Sequence, residues 1–120
     1  MYVASDPSKA RPSSLDGVDY AQLVLETKFN VSELARSRGV SVRQLERYFK
    51  FRFGLRPHEF VERQRLAHAK ALLRTGEPVK AVSFVLSFKQ PSSFTRAFAR
   101  FYGYAPSKER AMALMSQKDK

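Results

Sequence analysis

The sequence predicts an all-α fold of about seven helices: two helix-turn-helix subdomains joined by a long linker helix. Three observations carry that expectation. First, one helix ending occurs twice. Arg47-Tyr48-Phe49 runs on to Phe53-Gly54 and Pro57, and Arg96-Ala97-Phe98 runs on to Tyr102-Gly103 and Pro106, 49 residues later at each position. Second, apolar residues recur at helical spacing and no stretch alternates as a strand would. Third, Gly and Pro fall where helices would end or begin. Upstream of the shared ending an offset of 48 pairs Val31 with Val79, Leu34 with Val82 and Val40 with Phe88, so the second copy carries one inserted residue.

Residues 1–17 are rich in Ser, Pro, Ala and Asp without periodicity and read as a flexible tail or interdomain linker. Folded structure is expected to begin between Asp16 and Asp19, opening a first subdomain over residues 18–56. A short helix there places Tyr20, Leu23 and Val24 on one face. Asn30 and Glu33 stand at capping-box spacing and predict a helix from Val31, which Gly39 ends by taking a positive φ. Ser41 and Gln44 repeat that spacing and start the next helix. Its stripe of Leu45, Tyr48, Phe49 and Phe53 faces a core, and Gly54 stops it.

Pro57 suits the first turn of a linker helix over residues 57–76, with Leu66, Ala69, Leu72 and Leu73 on its buried face. At roughly 1.5 Å per residue that helix is about 28 Å long, close to one turn of DNA. Pro78 opens a second pair within residues 77–116. Phe94, Phe98, Phe101 and Tyr102 form the expected buried stripe of its later member. Pro106 opens a last helix, and residues 117–120 read as a frayed end.

Charge narrows the function. The net charge is +11, and residues 31–120 hold 19 of the basic and 7 of the acidic side chains, which favours a polyanionic partner. With no Cys, disulfides and thiolate metal sites are excluded. No apolar run approaches the roughly 20 residues of a membrane helix, and no signal-peptide core is present. The chain therefore reads as soluble, intracellular and basic, with no membrane partner. His58 and His68 lack companions at ligand spacing, no Gly-rich phosphate loop occurs, and no nucleophile-base arrangement can be argued. No enzyme activity, metal or cofactor is expected. A helical unit used twice on a basic chain suggests the same grip applied twice to a repeating polyanion, and DNA is such a surface.

From Val31 the pattern is that of a helix-turn-helix: small Ala35 at the crossing, Gly39 in the turn, and Val40, Leu45 and Tyr48 completing the buried set. Ser32-Glu33-Leu34-Ala35, Gly39-Val40-Ser41, Leu45 to Lys50, Phe53-Gly54 and Pro57 form one run of motif residues. Arg65-Leu66, Ala69, Leu72-Leu73, Ser87-Phe88, Ser92, Phe94 to Phe98, Gly103, Pro106 and Arg110 form the next. On these residues, 31–110 resembles the DNA-binding domain of the AraC/XylS family of bacterial transcription regulators. That resemblance implies two homeodomain-like units whose second helices enter successive major grooves of double-stranded DNA. It implies a bacterial cytoplasmic, nucleoid-associated protein that regulates transcription. Family proteins often contact RNA polymerase and carry a separate effector and dimerisation domain, which the linker-like residues 1–17 would join from upstream.

By position, the first recognition helix presents Arg43, Gln44, Glu46 and Arg47, with Lys50 one turn on. The second presents Gln90, Pro91, Ser92, Ser93, Thr95 and Arg96. Arg47 and Arg96 are repeat equivalents opposite the Phe stripes, and an Arg there can donate twice to guanine, worth roughly 1–3 kcal/mol of discrimination. Gln44 or Gln90 can pair with adenine, and Glu46 can accept from cytosine, although pairing with Arg43 or Lys50 along its own helix is the stronger reading. Ser92, Ser93 and Thr95 suit phosphates or varied bases. Arg36, Arg38, Lys50, Arg52, Lys89 and Arg100 suit phosphates or solubility.

Four residues depart from the family pattern. Ser87 replaces the Gly of the second turn, Ser83 the Ala of the crossing, Pro91 removes a reading side chain, and Glu109 stands where an aromatic is common. A Ser at positive φ is expected to cost roughly 1 kcal/mol. These departures keep two other readings in view: a non-specific architectural nucleic-acid-binding module, and an adapter that binds RNA polymerase without DNA.

Overall fold

The computed structural model describes residues 13–118, and among them it contains seven α-helices, one 3-10 turn and no strand. The 3-10 turn is Ser13–Leu15. The helices are α1 (Tyr20–Glu26), α2 (Val31–Ser37), α3 (Val42–Phe53), α4 (Pro57–Arg74), α5 (Val79–Val85), α6 (Pro91–Tyr102) and α7 (Pro106–Lys118). The chain divides into two compact units, and the division falls inside α4, between Val61 and Glu62.

In the first unit, local hydrogen bonds start and stop each helix. The Asp19 carboxylate accepts from the Gln22 N–H at the head of α1, and Asn30 accepts from the Glu33 N–H at the head of α2. Only Ser41 completes a capping box: its hydroxyl accepts from the Gln44 N–H at 3.1 Å, and the Gln44 side chain accepts from the Ser41 N–H at 2.9 Å. The Glu33 carboxylate turns instead to Arg36, at 3.3 Å. The core joins Leu15, Val24, Val31, Leu34, Leu45, Phe49 and Val61. Phe49 sits at its centre with Tyr20, Phe53 and Phe60 at centroid distances of 4.9, 5.0 and 5.2 Å. Each such fully buried apolar side chain stabilises the unit by about 1.5–3 kcal/mol.

Leu15 corrects the expected start of the fold. Residues 1–12 of the expected tail lie outside the described residues, but Ser13–Leu15 form the 3-10 turn and Leu15 is wholly buried in the core. Polar contacts hold that turn in place. The Tyr20 hydroxyl donates to the Leu15 carbonyl at 2.7 Å, and Arg38 Nε donates to the Ser14 carbonyl at 2.9 Å. The Ser14 hydroxyl returns a bond to the Arg38 carbonyl at 2.9 Å. Between Pro12 and Gly17 Leu15 is the single apolar residue, too weak a periodic signal to reveal this.

The second unit repeats the plan with other side chains. Phe94 and Phe98 of α6 are wholly buried, and Leu66, Leu73, Val82 and Leu86 of the same unit are buried too. Phe98 meets Tyr102 and Tyr104 at centroid distances of 4.6 and 5.9 Å. The expected stripe needs one correction, because Phe101 is 46% exposed. At about 100° per residue it falls within about 20° of Phe94, so helical spacing alone puts it on the buried line, and its place in the last turn of α6 leaves it half exposed. Glu109 is the other surprise. Its carboxylate is buried and accepts from the Tyr104 hydroxyl and from Arg74 Nε, the latter at 3.1 Å. An acidic residue is tolerated where an aromatic was expected because both its oxygens are paired.

Candidate nucleic-acid interface

The two recognition helices are built alike. Both α3 and α6 have 12 residues, and both end on a glycine in the left-handed region, Gly54 at φ +70° and Gly103 at +85°. Each is preceded by the same turn. At the end of α2 the Val40 N–H reaches the Ala35 carbonyl at 3.1 Å and the Gly39 N–H reaches Arg36 at 3.0 Å. At the end of α5 the Phe88 N–H reaches Ser83 at 3.1 Å and the Ser87 N–H reaches Phe84 at 3.0 Å. This pair of bonds is the Schellman arrangement, which needs a positive φ at the residue after the cap. Gly39 takes it at +69°, and Ser87, as expected from its position, takes it at +66°.

Turn and helix together set which side chains are outward. Arg43, Glu46, Arg47 and Lys50 are exposed along one face of α3, opposite buried Leu45 and Phe49. Arg47 and Arg96 occupy the sixth position of their helices, and both are exposed. In α6 the same face carries exposed Ser92 and Arg96 and half-buried Ser93 and Thr95, with exposed Gln90 as the N-cap. Three cations and one carboxylate on α3 thus correspond to short hydroxyls and one arginine in α6.

Several candidate side chains already have partners. Gln44 gives its carbonyl oxygen to the capping box, which leaves its NH₂ group for an outside acceptor while that box stands. Gln90 makes no side-chain cap; its oxygen accepts from the Ser92 hydroxyl at 3.4 Å. Ion pairs join Arg36 to Glu33 and Arg74 to Glu109, and neither is the expected pairing of Glu46 with Arg43 or Lys50. Arg38 was expected to serve phosphates or solubility. Instead its Nε is spent on the Ser14 carbonyl, a structural tether. Arg65 likewise donates Nε to the Leu86 carbonyl at 2.9 Å and lays its guanidinium 3.6 Å over the Phe88 ring.

The family model described as "Helix-turn-helix domain" matches residues 34–112, spanning both turns and both recognition helices. A crystal structure of a transcriptional regulator with an AraC-type DNA-binding domain, from Chromobacterium violaceum, superposes with a TM-score of 0.66 at 26% identity, covering 76% of this chain and 88% of that one. The chain belongs to the AraC-type helix-turn-helix family. A probable AraC family regulator from Rhodopseudomonas palustris is similar too, with a TM-score of 0.61 at 25% identity over 80% of this chain and 98% of that one. Among sequence relatives, the probable transcriptional regulator LumQ of Photobacterium leiognathi is 34% identical over 75% of this chain and 37% of its own length. The F1 operon positive regulatory protein of Yersinia pestis is 32% identical over 84% of this chain and 34% of its own. This AraC-type chain spans about a third of the length of those relatives.

Two features were not expected from the sequence: Phe84 is 83% exposed and Val85 is 64% exposed. The repeat held the signal, because an offset of 48 sets them against Arg36 and Ser37. An apolar pair on a face that is polar in the other copy marks a surface with a different use. No helix of the described residues is long and apolar enough to cross a membrane.

Proposed function

We propose that this AraC-type domain binds double-stranded DNA sequence-specifically, with α3 and α6 in successive major grooves, and thereby regulates bacterial transcription. One observation supports the reading above the others. An exposed arginine stands at the same position of two helices that share length, turn and cap, opposite two buried Phe-centred cores. Arg47 and Arg96 act as guanine readers, Arg43 assists the first, and Lys50 holds phosphate. Glu46 accepts from cytosine, and the Gln44 NH₂ group donates to a base acceptor. Ser92, Ser93, Thr95 and Gln90 serve the second groove. A cytoplasmic, nucleoid-associated site of action, an upstream effector and dimerisation domain, and contact with RNA polymerase belong to the same proposal. The much longer relatives support an upstream domain.

A second reading applies to α6 alone. Pro91, the Gln90–Ser92 bond and the short hydroxyls favour a helix that holds phosphates and reads few bases. Selection of duplexes from a random pool at near-physiological salt, with the parent chain and with Arg47→Ala and Arg96→Ala, separates the readings. Two boxes about one helical turn apart, each relaxed by one variant, are expected from bipartite readout. One box, indifferent to Arg96→Ala, assigns α6 to phosphates. Absence of enrichment overturns sequence-specific binding by this domain.

A further inference from the structure

The second unit carries an apolar groove of about 510 Å³ along α5 and the turn after it, lined by Pro78, Ala81, Phe84, Val85, Phe88 and Pro91. Phe84 and Val85 project from it into solvent although the unit has a filled core of its own. A contiguous exposed apolar patch of this kind is costly in an isolated domain and marks a surface that another molecule covers. Lys80 and Lys89 flank the groove, and no carboxylate lines it.

The first unit supplies an internal control. Its equivalents of Phe84 and Val85 are Arg36 and Ser37, and Arg36 there pairs with Glu33 at 3.3 Å. The backbone is the same in both places, with matching hydrogen bonds through the turn. The apolar pair is therefore no requirement of the helix-turn-helix architecture. Neither does folding use it: Val82 and Ser83 are the buried side chains of α5, with Leu86 buried just after it.

We propose that this groove docks a protein segment with an apolar face flanked by carboxylates, an acidic amphipathic helix. Its apolar side chains would cover Phe84, Val85 and Phe88, and its acidic rim would meet Lys80 and Lys89. A phosphate backbone satisfies the lysines but leaves the two apolar side chains in water. A second copy of this basic chain would bring like charge to the lysines. The acidic segment satisfies both features at once.

The test uses a fluorescent synthetic helix with Leu and Phe at i, i+3, i+4 and i+7 and Glu at the flanks, and a control with Lys replacing every Glu. The expected result is anisotropy saturating with a dissociation constant of about 10–100 μM for the acidic peptide and at least about tenfold weaker binding of the lysine peptide. Amide shifts should concentrate in residues 78–91. Phe84→Ser combined with Val85→Ser should weaken binding about tenfold, and Lys80→Glu with Lys89→Glu about fivefold. The apolar substitutions are at exposed positions, so an unchanged melting temperature accompanies the expected result.

Equal binding of both peptides, shifts outside this segment, or no saturation by about 1 mM would overturn the proposal. Two other occupants are distinguishable. Loss of duplex affinity by the Phe84→Ser, Val85→Ser variant, in step with its peptide affinity, would assign the groove to DNA. Conversion of a dimer to a monomer by the same variant in sedimentation would assign it to a second copy. Either finding would overturn the acidic-segment reading.

Discussion

The turns that lead into α3 and α6 share their hydrogen bonds and differ in the residue that bears the strained dihedral. Gly39 takes φ +69° freely, whereas Ser87 holds +66° against the repulsion between its Cβ and the adjoining carbonyl. The helices that follow differ in the same sense. Ser41 opens α3 with a reciprocal capping box, while Gln90 opens α6 with no side-chain cap and Pro91 in the first turn. One backbone plan is therefore met by well-matched residues in the first copy and by tolerated ones in the second. A repeated architecture can keep its geometry while its local sequence drifts, provided the core behind each turn stays filled.

The comparison can be broken most severely through the cores. Phe49→Ala and Phe98→Ala should each destabilise their own unit by about 3–5 kcal/mol, measured by denaturant melts with residue-resolved amide exchange. Equal loss of protection in both units from either variant would show that the copies do not behave as separate cores.

DNA contacts come next in size. Arg47→Ala is expected to cost roughly 1–3 kcal/mol on a selected duplex, and Arg96→Ala less. Anisotropy titrations at fixed salt check the order, and a larger loss from Arg96→Ala would reverse the ranking of the two motifs.

Smaller effects probe the turns. Ser87→Gly should stabilise the second unit by about 0.5–1 kcal/mol and Gly39→Ser should cost the first about 1 kcal/mol. A Cβ added at Gly39 meets nothing within 4 Å, so any penalty there is conformational. Thermal unfolding of the two variants should move in opposite directions. Ser41→Ala should cost about 1 kcal/mol, whereas Gln90→Ala should be nearly silent.

Acid should separate the units last. Burial pushes the Glu109 carboxyl upward, but bonds from Tyr104 and Arg74 and the nearby Lys70 charge outweigh it and hold it below the ordinary carboxylate value. With the folded-state value depressed, its stabilisation is present above the unfolded value of about 4.3 and is lost as pH falls through the folded one. Burial pushes the Tyr20 phenol up to about 12, so its contribution to the first unit is lost as pH rises from about 10 toward that value. The second unit should thus weaken first in acid, followed by amide exchange, whereas in alkali the raised Tyr102 and Tyr104 phenols of the second unit respond in the same direction as Tyr20 of the first. Glu109→Gln should flatten the acid response.

Much of this was legible from residues three to five apart. Asn30, Ser41, Gly39, Gly54 and Pro57 each stand where the predicted helix starts or stops, because a cap or turn is closed by neighbours in sequence. The stripe of Leu45 and Phe49 was readable for the same reason, as helical spacing alone puts them on one face. Leu15 was not readable, since its burial depends on Arg38 and Tyr20 closing over Ser13–Leu15 from elsewhere in the unit. Phe101 misled because local spacing sets it within about 20° of buried Phe94, and only packing left it half exposed.

By itself, the sequence determined the order of seven helices, the duplicated plan, the strained serine and the outward arginines, all properties of local spacing and backbone preference. Tertiary structure alone decided which polar groups were already committed: Arg38 to the Ser14 carbonyl, Arg65 to Leu86, and Glu109 to Tyr104 and Arg74. It alone left Phe84 and Val85 uncovered. The physical reason is that a hydrogen-bond partner or a covering surface distant in the chain is chosen by packing, and no local pattern encodes it.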